Sequence, residues 1–328
     1  MKIKKLLTVA LAGVMATAAF AGCSTKENEG SNVANDNKTY TIGVLQTVQH
    51  PALDAATKGF KDVLTEKLGD KVKFDEQNGQ GDSTNCTTIA NQFKAQGVDM
   101  VFANATAALQ SAYNAIPDIP IVGTSITDYG VAIDETVVDG KTGKNVTGTS
   151  DLAPLDQQAE MFKELLPDAK KIGLLYCSAE ANSKYQIERV AEELVKLGYE
   201  TKEFPFADSN DVSAVTTAAC NEMDALYIPT DNTAASNAAI IDGVASEKKI
   251  PIIAGEAGIC EGCGIATLSI SYEELGRITG EMAYEILVNG KNPGDMEIKY
   301  ASAPTKQYVE ARIKALGIEV PEGYEALR

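Results

Sequence analysis

The stretch Ile42-Gly43-Val44-Leu45, an apolar run with one glycine, decides the fold because it returns later as Ile172-Gly173-Leu174-Leu175. Two further segments recur in the same order: Val98-Asp99-Met100-Val101 returns as Met223-Asp224-Ala225-Leu226, and Ile119-Pro120-Ile121-Val122 returns as Ile250-Pro251-Ile252-Ile253. A pattern repeated at a fixed offset indicates that one structural unit is built twice. The chain is therefore predicted to form two similar lobes that face each other across a cleft, and clefts are where ligands bind.

Each repeat predicts strands that alternate with helices. Residues 40–45 are apolar without clean alternation, which is typical of a parallel strand covered on both faces. Pro51 begins a helix whose apolar stripe continues until Gly69. The same cycle runs on to the strand at 119–123 and is repeated over 171–254. This order predicts an α/β fold with two doubly wound parallel-sheet lobes.

The rest of the chain breaks the repeat and predicts a hinge made of several strands. Residues 146–150 are expected to form a crossing strand, and the tail is expected to cross back to the first lobe and return. Its predicted elements are a strand at 265–270, a helix at 272–289, a strand at 297–300 and a helix at 305–316. Lobe 1 is then predicted to comprise 39–147 plus 265–291, and lobe 2 to comprise 148–264 plus 292–328. Such a hinge lets two lobes close around a ligand.

The amino-terminal segment predicts export and attachment to a membrane. Lys2, Lys4 and Lys5 precede an apolar run too short to span a bilayer comfortably, so residues 1–22 are interpreted as a signal peptide. The end of this run, Phe20-Ala21-Gly22-Cys23, resembles the lipobox at which bacterial lipoproteins are cleaved and diacylated on the cysteine. The polar residues that follow predict a lipidated flexible tether over 23–38. An ordinary cysteine after a signal peptide is the less favoured alternative. The expected location is extracytoplasmic, with the lipid on Cys23 as the membrane anchor.

The net charge argues against two classes of partner. The formal net charge of −17 at pH 7 becomes −20 when the three lysines of the signal peptide are removed. Nucleic acids and anionic lipid surfaces are bound through basic patches. Neither is therefore expected as a partner of the mature chain.

The cysteines after Cys23 are odd in number, so they cannot all be paired: Cys86, Cys177, Cys220, Cys260 and Cys263. Cys260-Glu-Gly-Cys263 has the spacing of a redox or metal half-site, but no second such pair and no nearby histidine completes a zinc site. A thiol pair in a loop, or a local disulfide, is favoured over a metal or redox centre. No metal and no cofactor is predicted.

Polar residues follow the predicted strands at their carboxyl ends, where open parallel sheets bind ligands. The hydroxyls of Thr106 and Ser125 in lobe 1, together with helix N-terminal amides, can hold an anion without a cation. Asp231 and Glu256 in lobe 2 suit an ammonium group. Together these groups predict a zwitterionic ligand. The alternative is that Thr106, Ser125 and Asp231 are ordinary caps and that Glu256 is a solvated loop acid.

Catalysis finds little support in the sequence. His50 is the only histidine, and no serine elbow, HExxH motif, Walker A loop or Rossmann glycine motif is present. Gly79-Gln80-Gly81 is interpreted as a turn, and His50 as a helix-entry residue at the rim of the cleft. The chain is predicted not to be an enzyme, although a secreted hydrolase with His50 as its base is kept as an alternative.

Six motifs together resemble the tryptophan/tyrosine-type substrate-binding lipoproteins of ABC importers. They are Val48-Gln49-His50-Pro51-Ala52-Leu53-Asp54, Gly79-Gln80-Gly81-Asp82, Gly148-Thr149-Ser150-Asp151-Leu152, Ile228-Pro229-Thr230-Asp231-Asn232, Ala254-Gly255-Glu256 and Tyr272-Glu273-Glu274-Leu275-Gly276-Arg277. The resemblance extends from Tyr40 to the end of the chain. It implies the type I periplasmic-binding-protein fold and the binding of an aromatic amino acid (Trp, Tyr or Phe) for import. It also implies an ABC permease and its ATPase subunit as partners.

The resemblance places ligand contacts at Gln49, His50, Thr106, Ser125, Asn182, Asp231 and Glu256, and the neighbouring Val48, Asp128 and Asn232 complete the predicted ligand-binding set. Gln49 and Tyr129 depart from the family pattern, which usually has an acid and a proline there. Tyr129 and Tyr176 are the candidates for stacking on an aromatic ligand, and an amino acid with an aliphatic side chain is the alternative. A receptor for a nucleoside or a sugar, built on the same fold, is the alternative function.

Overall fold

Two sheets with helices on both faces make up the part of the chain that the computed structural model describes, residues 38–327. The strands are β1 (Tyr40–Gln46), β2 (Val72–Asn78), β3 (Met100–Asn104), β4 (Ile121–Ile126), β5 (Val146–Ser150), β6 (Lys171–Cys177), β7 (Glu200–Phe206), β8 (Ala225–Ile228), β9 (Ile252–Ala254), β10 (Ala266–Ser269), β11 (Lys299–Tyr300), β12 (Thr305–Tyr308) and β13 (Glu325–Ala326). The helices are α1 (Pro51–Leu68), α2 (Ser83–Gln96), α3 (Thr106–Ala115), α4 (Tyr129–Ile133), α5 (Leu155–Leu165), α6 (Ala181–Lys196), α7 (Val212–Glu222), α8 (Asn232–Ser236), α9 (Ala238–Lys248), α10 (Ala257–Cys263), α11 (Tyr272–Leu287) and α12 (Glu310–Leu316).

The two sheets have the same core topology, which confirms the predicted α/β fold with two parallel-sheet lobes. The first sheet has the order β11-β5-β4-β3-β1-β2 and the second the order β13-β12-β10-β9-β8-β6-β7. All pairings are parallel except that of β10 with β12. In each lobe the strand order reverses beside the first strand, β1 or β6. Ligands bind outside the carboxyl ends of the strands at such a switch point.

The glycine that recurs in the first strand of each lobe has a steric reason. A Cβ atom on Gly43 would lie 2.5 Å from the ring of Phe93, which belongs to α2. A Cβ atom on Gly173 would lie 2.6 Å from Cδ2 of Leu226 in the neighbouring strand. Protein interiors are close-packed, so neither position has room for a larger residue. The sequence repeat therefore reflects the same packing requirement in both lobes.

Three crossings connect the lobes, at residues 151–154, 270–271 and 301–304. Strand β5 belongs wholly to the first sheet, and β10 belongs to the second. Helix α11 then packs against α1 in the first lobe, and β11 pairs with β5 before the chain returns. The crossings therefore lie several residues beyond the predicted boundaries at 147/148, 264/265 and 291/292. The apolar pattern shows that a short strand exists but does not show which sheet its edge joins.

Two local predictions were wrong. Residues 305–308, predicted as the start of the terminal helix, form β12 instead because they pair antiparallel with β10. Cys260 and Cys263 lie on α10 rather than in a loop, and each is a buried free thiol. Burial raises the pKa of both thiols, so they behave as core residues.

The amino-terminal predictions concern residues that the structure does not describe. The predicted signal peptide (1–22), Cys23 and all of the tether except Lys38 lie outside the described residues. Between residues 38 and 327, the structure contains no helix with the length and apolar character needed to span a membrane.

Candidate functional site

The carboxyl ends of the two sheets face each other across an enclosed cavity between the lobes. Its volume is about 10 Å³, the space of about one water molecule. Its walls are formed by residues of both lobes: His50, Leu53, Ser125, Thr127, Asp151, Asn182, Thr230, Asp231, Asn232, Ala235, Glu256 and Tyr272. The cavity is therefore narrow, and a solute larger than water enters it only when the lobes separate.

Direct hydrogen bonds hold the two lobes together at this cavity. Nε2 of His50, which follows β1, lies 3.2 Å from Oδ1 of Asn232 in the second lobe. Nε2 of Gln186, on α6, donates to Oγ1 of Thr127 in the first lobe at 3.3 Å. These contacts join residues of different lobes, so the structure has its lobes closed on each other.

The first lobe contributes buried polar atoms that have no partner. Among residues 38–327 these include Nδ1 of His50, Oγ1 of Thr106 and Oγ of Ser125, all in residues predicted as ligand contacts. Ser125 also has a φ of +58°, a left-handed conformation that costs a non-glycine residue free energy and that functional sites retain. Burying a polar atom without a hydrogen bond is unfavourable. These groups are therefore suited to pair with a ligand.

Asp231 is both a cap of a helix and a wall of the cavity. Its Oδ1 accepts from the backbone N–H of Ala234 at 2.7 Å, which caps α8. Its Oδ2 accepts from the backbone N–H of Cys177 at 2.6 Å and from Oγ of Ser183 at 2.7 Å. Burial raises the pKa of Asp231, and the nearby Glu180 raises it further. Asp231 is thus a helix cap, as the alternative interpretation had it, and its place in the cavity wall leaves the ligand-binding role a prediction.

Glu256 likewise caps a helix, α10, and lines the cavity. Its carboxylate accepts from the backbone N–H groups of Gly258 and Ile259, and the residue is 2% exposed. It is not a solvated loop acid, because the cavity wall encloses it. Burial raises its pKa, while the neighbouring His50 acts in the opposite direction.

Glu180 organises the strand end that carries the second-lobe contacts, and sequence reasoning did not identify it. Its carboxylate accepts from the backbone N–H and the side-chain amide of Asn232, at 3.0 and 2.7 Å. It also accepts from the N–H and hydroxyl of Thr233, both at 2.8 Å. The side-chain amide of Asn182 donates to it at 3.0 Å. Glu180 therefore fixes the orientation of Asn182 and Asn232 at the cavity.

Asp151 and Tyr272 also line the cavity without having been predicted as site residues. Asp151 lies at the first crossing between the lobes, and Tyr272 directly follows the second. The Tyr272 hydroxyl donates to Oδ2 of Asp151 at 2.9 Å. The Thr127 hydroxyl donates to Oδ1 of Asp151 at 3.3 Å. Burial raises the pKa of Asp151 to about 6, with a smaller contribution from Glu256. The signals in the sequence were the position of Asp151 directly after a strand and the presence of both residues in motifs that carry the family resemblance.

The cavity is acidic and has no fixed positive charge in its wall. Asp151, Asp231 and Glu256 line it, whereas no lysine or arginine does. Within residues 38–327, no cluster of three or more metal-binding side chains is suited to hold a metal ion. A buried carboxylate that has no cationic partner is costly. The site therefore favours a ligand that brings its own positive charge.

The cavity brings together six of the predicted ligand-binding residues and leaves four outside its wall. His50, Ser125, Asn182, Asp231, Asn232 and Glu256 line it, whereas Val48, Gln49, Thr106 and Asp128 do not. Gln49 is exposed and lines a separate surface groove on the first lobe. Asp128 caps α4 and lies near Tyr185 of the second lobe. Strand-end position alone does not determine which way a side chain points.

The two tyrosines predicted to stack on a ligand belong to the lobe cores instead. The Tyr129 hydroxyl donates to the carbonyl oxygens of Gly123 and Thr149, at 3.0 and 3.2 Å. Tyr176 packs in the second lobe, and its hydroxyl donates to Glu203 at 2.6 Å. The aromatic ring in the cavity wall is that of Tyr272.

Comparisons with known proteins agree on one family. The family model described as ABC transporter substrate binding protein matches residues 41–326. A tyrosine-binding protein of Clostridioides difficile is 39% identical over 97% of this chain and 94% of its own length. A crystal structure from Streptococcus pneumonia, in complex with L-Trp, is 35% identical and has a TM-score of 0.83, covering 87% of this chain and 97% of that one.

A third relative differs in conformation. The ligand-free, open structure of a substrate binding protein with adhesive properties from Clostridium difficile is 38% identical, with 88% of this chain and 99% of that one covered. Its TM-score is 0.67, lower than that of the L-Trp complex although the identity is slightly higher. The lower structural similarity therefore accompanies an open conformation of that relative and not a lower sequence identity.

Proposed function

The chain belongs to the family of ABC transporter substrate-binding proteins, and we propose that it binds one free amino acid, with an aromatic side chain, between its lobes. The family consists of substrate-binding proteins, which agrees with the prediction that the chain is not an enzyme. The names of two relatives, one tyrosine-binding and one holding L-Trp, support the class of ligand.

One observation carries the proposal: the cavity has buried carboxylates on its second-lobe side and buried polar atoms without a hydrogen-bond partner on its first-lobe side. Asp231 and Glu256 face it from the second lobe, and Ser125 and His50 from the first. A zwitterion satisfies both walls, because its ammonium pairs with the carboxylates and its carboxylate accepts hydrogen bonds from the first lobe. A neutral sugar or nucleoside leaves the buried charges without a partner.

The anionic end of the ligand is assigned to the first lobe. The hydroxyl of Ser125 is buried and unpaired, so it can donate to the ligand carboxylate. In the neutral ring of His50, Nε2 carries the proton that faces Oδ1 of Asn232, so Nδ1 is an acceptor and is not assigned to the carboxylate. Thr106 begins α3, a helix of 10 residues whose positive N-terminus adds to the attraction. Thr106 lies outside the wall in the closed structure, so we assign it a contact that forms when a ligand holds the lobes further apart.

The side chain of the ligand is assigned to the apolar part of the wall. Tyr272, Leu53 and Ala235 supply an aromatic ring and two aliphatic side chains there. An aromatic ligand gains dispersion and stacking contacts with such a surface. Because the empty cavity is narrow, binding requires these walls to move apart by rotation about the three crossings.

The cellular context follows from the family and from the amino-terminal sequence. A substrate-binding protein of an ABC importer is extracytoplasmic, and we propose that the signal peptide is removed and that Cys23 carries the lipid anchor. Its macromolecular partners are then the permease and the ATPase subunit of the importer. Labelling with a palmitate analogue, compared between the parent and Cys23→Ala, tests the anchor. Equal labelling of both proteins refutes it.

A thermal-shift panel tests the ligand class. The protein without the predicted signal peptide and Cys23, residues 24–328, is melted in the presence of each of the twenty amino acids, a set of nucleosides and a set of sugars. A ligand at about 100 times its Kd stabilises the folded state by about 2.7 kcal/mol. We expect L-tyrosine, L-tryptophan or L-phenylalanine to raise the melting temperature most. A shift only with nucleosides or sugars would contradict the proposal. Calorimetry on the best ligand then gives the affinity and stoichiometry.

A further inference from the structure

We infer that Asp151 binds the ammonium group of the ligand directly and that, facing Glu256, it makes closure of the lobes depend on that cation. The inference rests on the proposed function. It adds a specificity residue that neither the sequence analysis nor the comparisons identify.

The backbone holds Asp151 at the edge of the first lobe. The residue directly follows β5 at the first crossing, and its N–H donates to the carbonyl oxygen of Ile126 at 3.1 Å. The side chain is 4% exposed and lines the cavity. A carboxylate at this place stays in the cavity whether the lobes are open or closed, because its anchors belong to one lobe.

Asp151 differs from the other two carboxylates in the kind of donor that it accepts from, because no amide at a helix N-terminus within residues 38–327 donates to its side chain. An ionised carboxylate has about four acceptor positions. Asp231 uses three, two of them for backbone N–H groups, and Glu256 uses two for the amides at the start of α10. Asp151 accepts only from the hydroxyls of Tyr272 and Thr127. Its charge is therefore the least compensated, which favours a cationic partner.

Thr127, one of the two residues that donate to Asp151, also forms a hydrogen bond with the second lobe. Gln186 of the second lobe donates to Oγ1 of Thr127, and this leaves the Thr127 proton for Asp151. The Tyr272 hydroxyl fixes the other oxygen from the start of α11. When the lobes close, this network orients the carboxylate into the cavity.

Asp151 and Glu256 face each other from opposite lobes. Both side chains line the same narrow cavity, so their charges lie close together in the closed structure, and Glu256 makes a small contribution to the raised pKa of Asp151. Two like charges in a desolvated space oppose closure, and an ammonium group between them converts this repulsion into attraction. Closure is thus favoured by a ligand that carries a cation in this position.

A second and independent feature of the same cavity also indicates a ligand. Oγ of Ser125 and Nδ1 of His50 are unpartnered, and the two residues are only 5% and 6% exposed. Both groups face the same space as Asp151, and the Ser125 hydroxyl can donate a hydrogen bond, whereas the Asp151 carboxylate can only accept one. Asp151 is therefore one wall of a site for a dipolar molecule.

The test compares ligands with and without the amino group. Calorimetry measures the affinity of L-tyrosine and of 3-(4-hydroxyphenyl)propionate, and of the pair L-tryptophan and indole-3-propionate. The proteins are the parent, Asp151→Asn and the control Asp118→Asn, which removes an exposed carboxylate elsewhere in the first lobe. Asparagine keeps a hydrogen-bonding group for both Tyr272 and Thr127 but has no charge.

We expect Asp151→Asn to weaken the affinity for the amino acid by about 30-fold or more, because the substitution removes one partner of a buried charge pair. Affinity for the deaminated analogue should change little, so the preference for the amino group collapses, while Asp118→Asn behaves like the parent. An equal loss for both ligands, or an unchanged preference, would overturn the inference and leave the proposed function standing. If the parent binds neither amino acid, the proposed function itself fails.

A second variant keeps the test decisive if Asp151→Asn does not fold. Tyr272→Phe leaves the charge of Asp151 in place but removes the hydroxyl that orients it. We expect the preference for the amino group to fall by about 3-fold to 10-fold, in proportion to one hydrogen bond to a charged group. An unchanged preference in folded Tyr272→Phe counts against the assignment.

Discussion

Replacing Asp151 by asparagine should make the ligand-free protein more stable at neutral pH. Burial raises the pKa of this acid from 3.8 to about 6 in the folded state. The ionised form is therefore disfavoured by folding, and the penalty applies in full above about pH 6. It decreases as the pH falls and vanishes below 3.8, where the acid is protonated in both the folded and the unfolded state.

The size of the effect follows from the shift of the pKa. A shift of roughly 2 units corresponds to about 3 kcal/mol, at 1.36 kcal/mol per unit. Asparagine removes the charge, and its amide oxygen and nitrogen can still pair with Tyr272 and Thr127. We therefore expect Asp151→Asn to raise the free energy of unfolding by up to about 3 kcal/mol at pH 7.5. Near pH 5 the gain should be about half of that.

Urea denaturation of the ligand-free protein, followed by far-ultraviolet circular dichroism at pH 5 and pH 7.5, measures this difference. The titratable groups near Asp151 are Tyr272, Tyr129 and Glu256, together with His50 and Asp231 in the same cavity wall, both of which the parent and the variant share. The tyrosines do not ionise in this range, and the difference between parent and variant cancels most of the contribution of Glu256. Asp118→Asn should change stability by less than about 0.5 kcal/mol. A variant that is less stable than the parent at pH 7.5, or a gain that is the same at both pH values, refutes the reasoning.

Three further substitutions test other parts of the structure. Ser125→Gly should stabilise the ligand-free protein by about 1 kcal/mol, because glycine adopts the φ of +58° without strain, and should weaken ligand binding; lower thermal stability would contradict this. Gly43→Ala should lower the free energy of unfolding by about 1–3 kcal/mol, since the new Cβ would lie 2.5 Å from the Phe93 ring. A denaturation midpoint equal to that of the parent would contradict this and show that α2 moves away at no cost. Asp231→Ala should abolish measurable binding and also cost about 1–2 kcal/mol of stability, because α8 loses its cap; binding as tight as in the parent, by calorimetry, would remove Asp231 from the ammonium site.

A site residue could be predicted from the sequence only where its position at the end of a strand or the start of a helix is enough to place it in the cavity wall. His50, Ser125, Asn182, Asp231, Asn232 and Glu256 follow strands or begin helices at the edge where ligands bind, and they line the cavity. Val48, Gln49, Thr106 and Asp128 satisfy the same rule but lie outside the wall. The rule identifies the edge of the sheet, whereas the orientation of each loop depends on packing across the cleft.

Glu180, Asp151 and Tyr272 could not be predicted because their roles depend on residues far away in the chain. Asp151 and Tyr272 are 121 positions apart and meet only where two crossings between the lobes run side by side. Glu180 is 52 positions from Asn232, which it orients. No local pattern records such a pairing.

The sequence by itself determined the two lobes, their parallel sheets and the glycines of their first strands, because apolar periodicity and close packing act over a few residues at a time. Only the tertiary structure decided where the chain crosses between the lobes and which carboxylates share the cavity. Desolvation and charge repulsion depend on what surrounds a group in space, and the surroundings of Asp151 come from three separate segments of the chain and from both lobes.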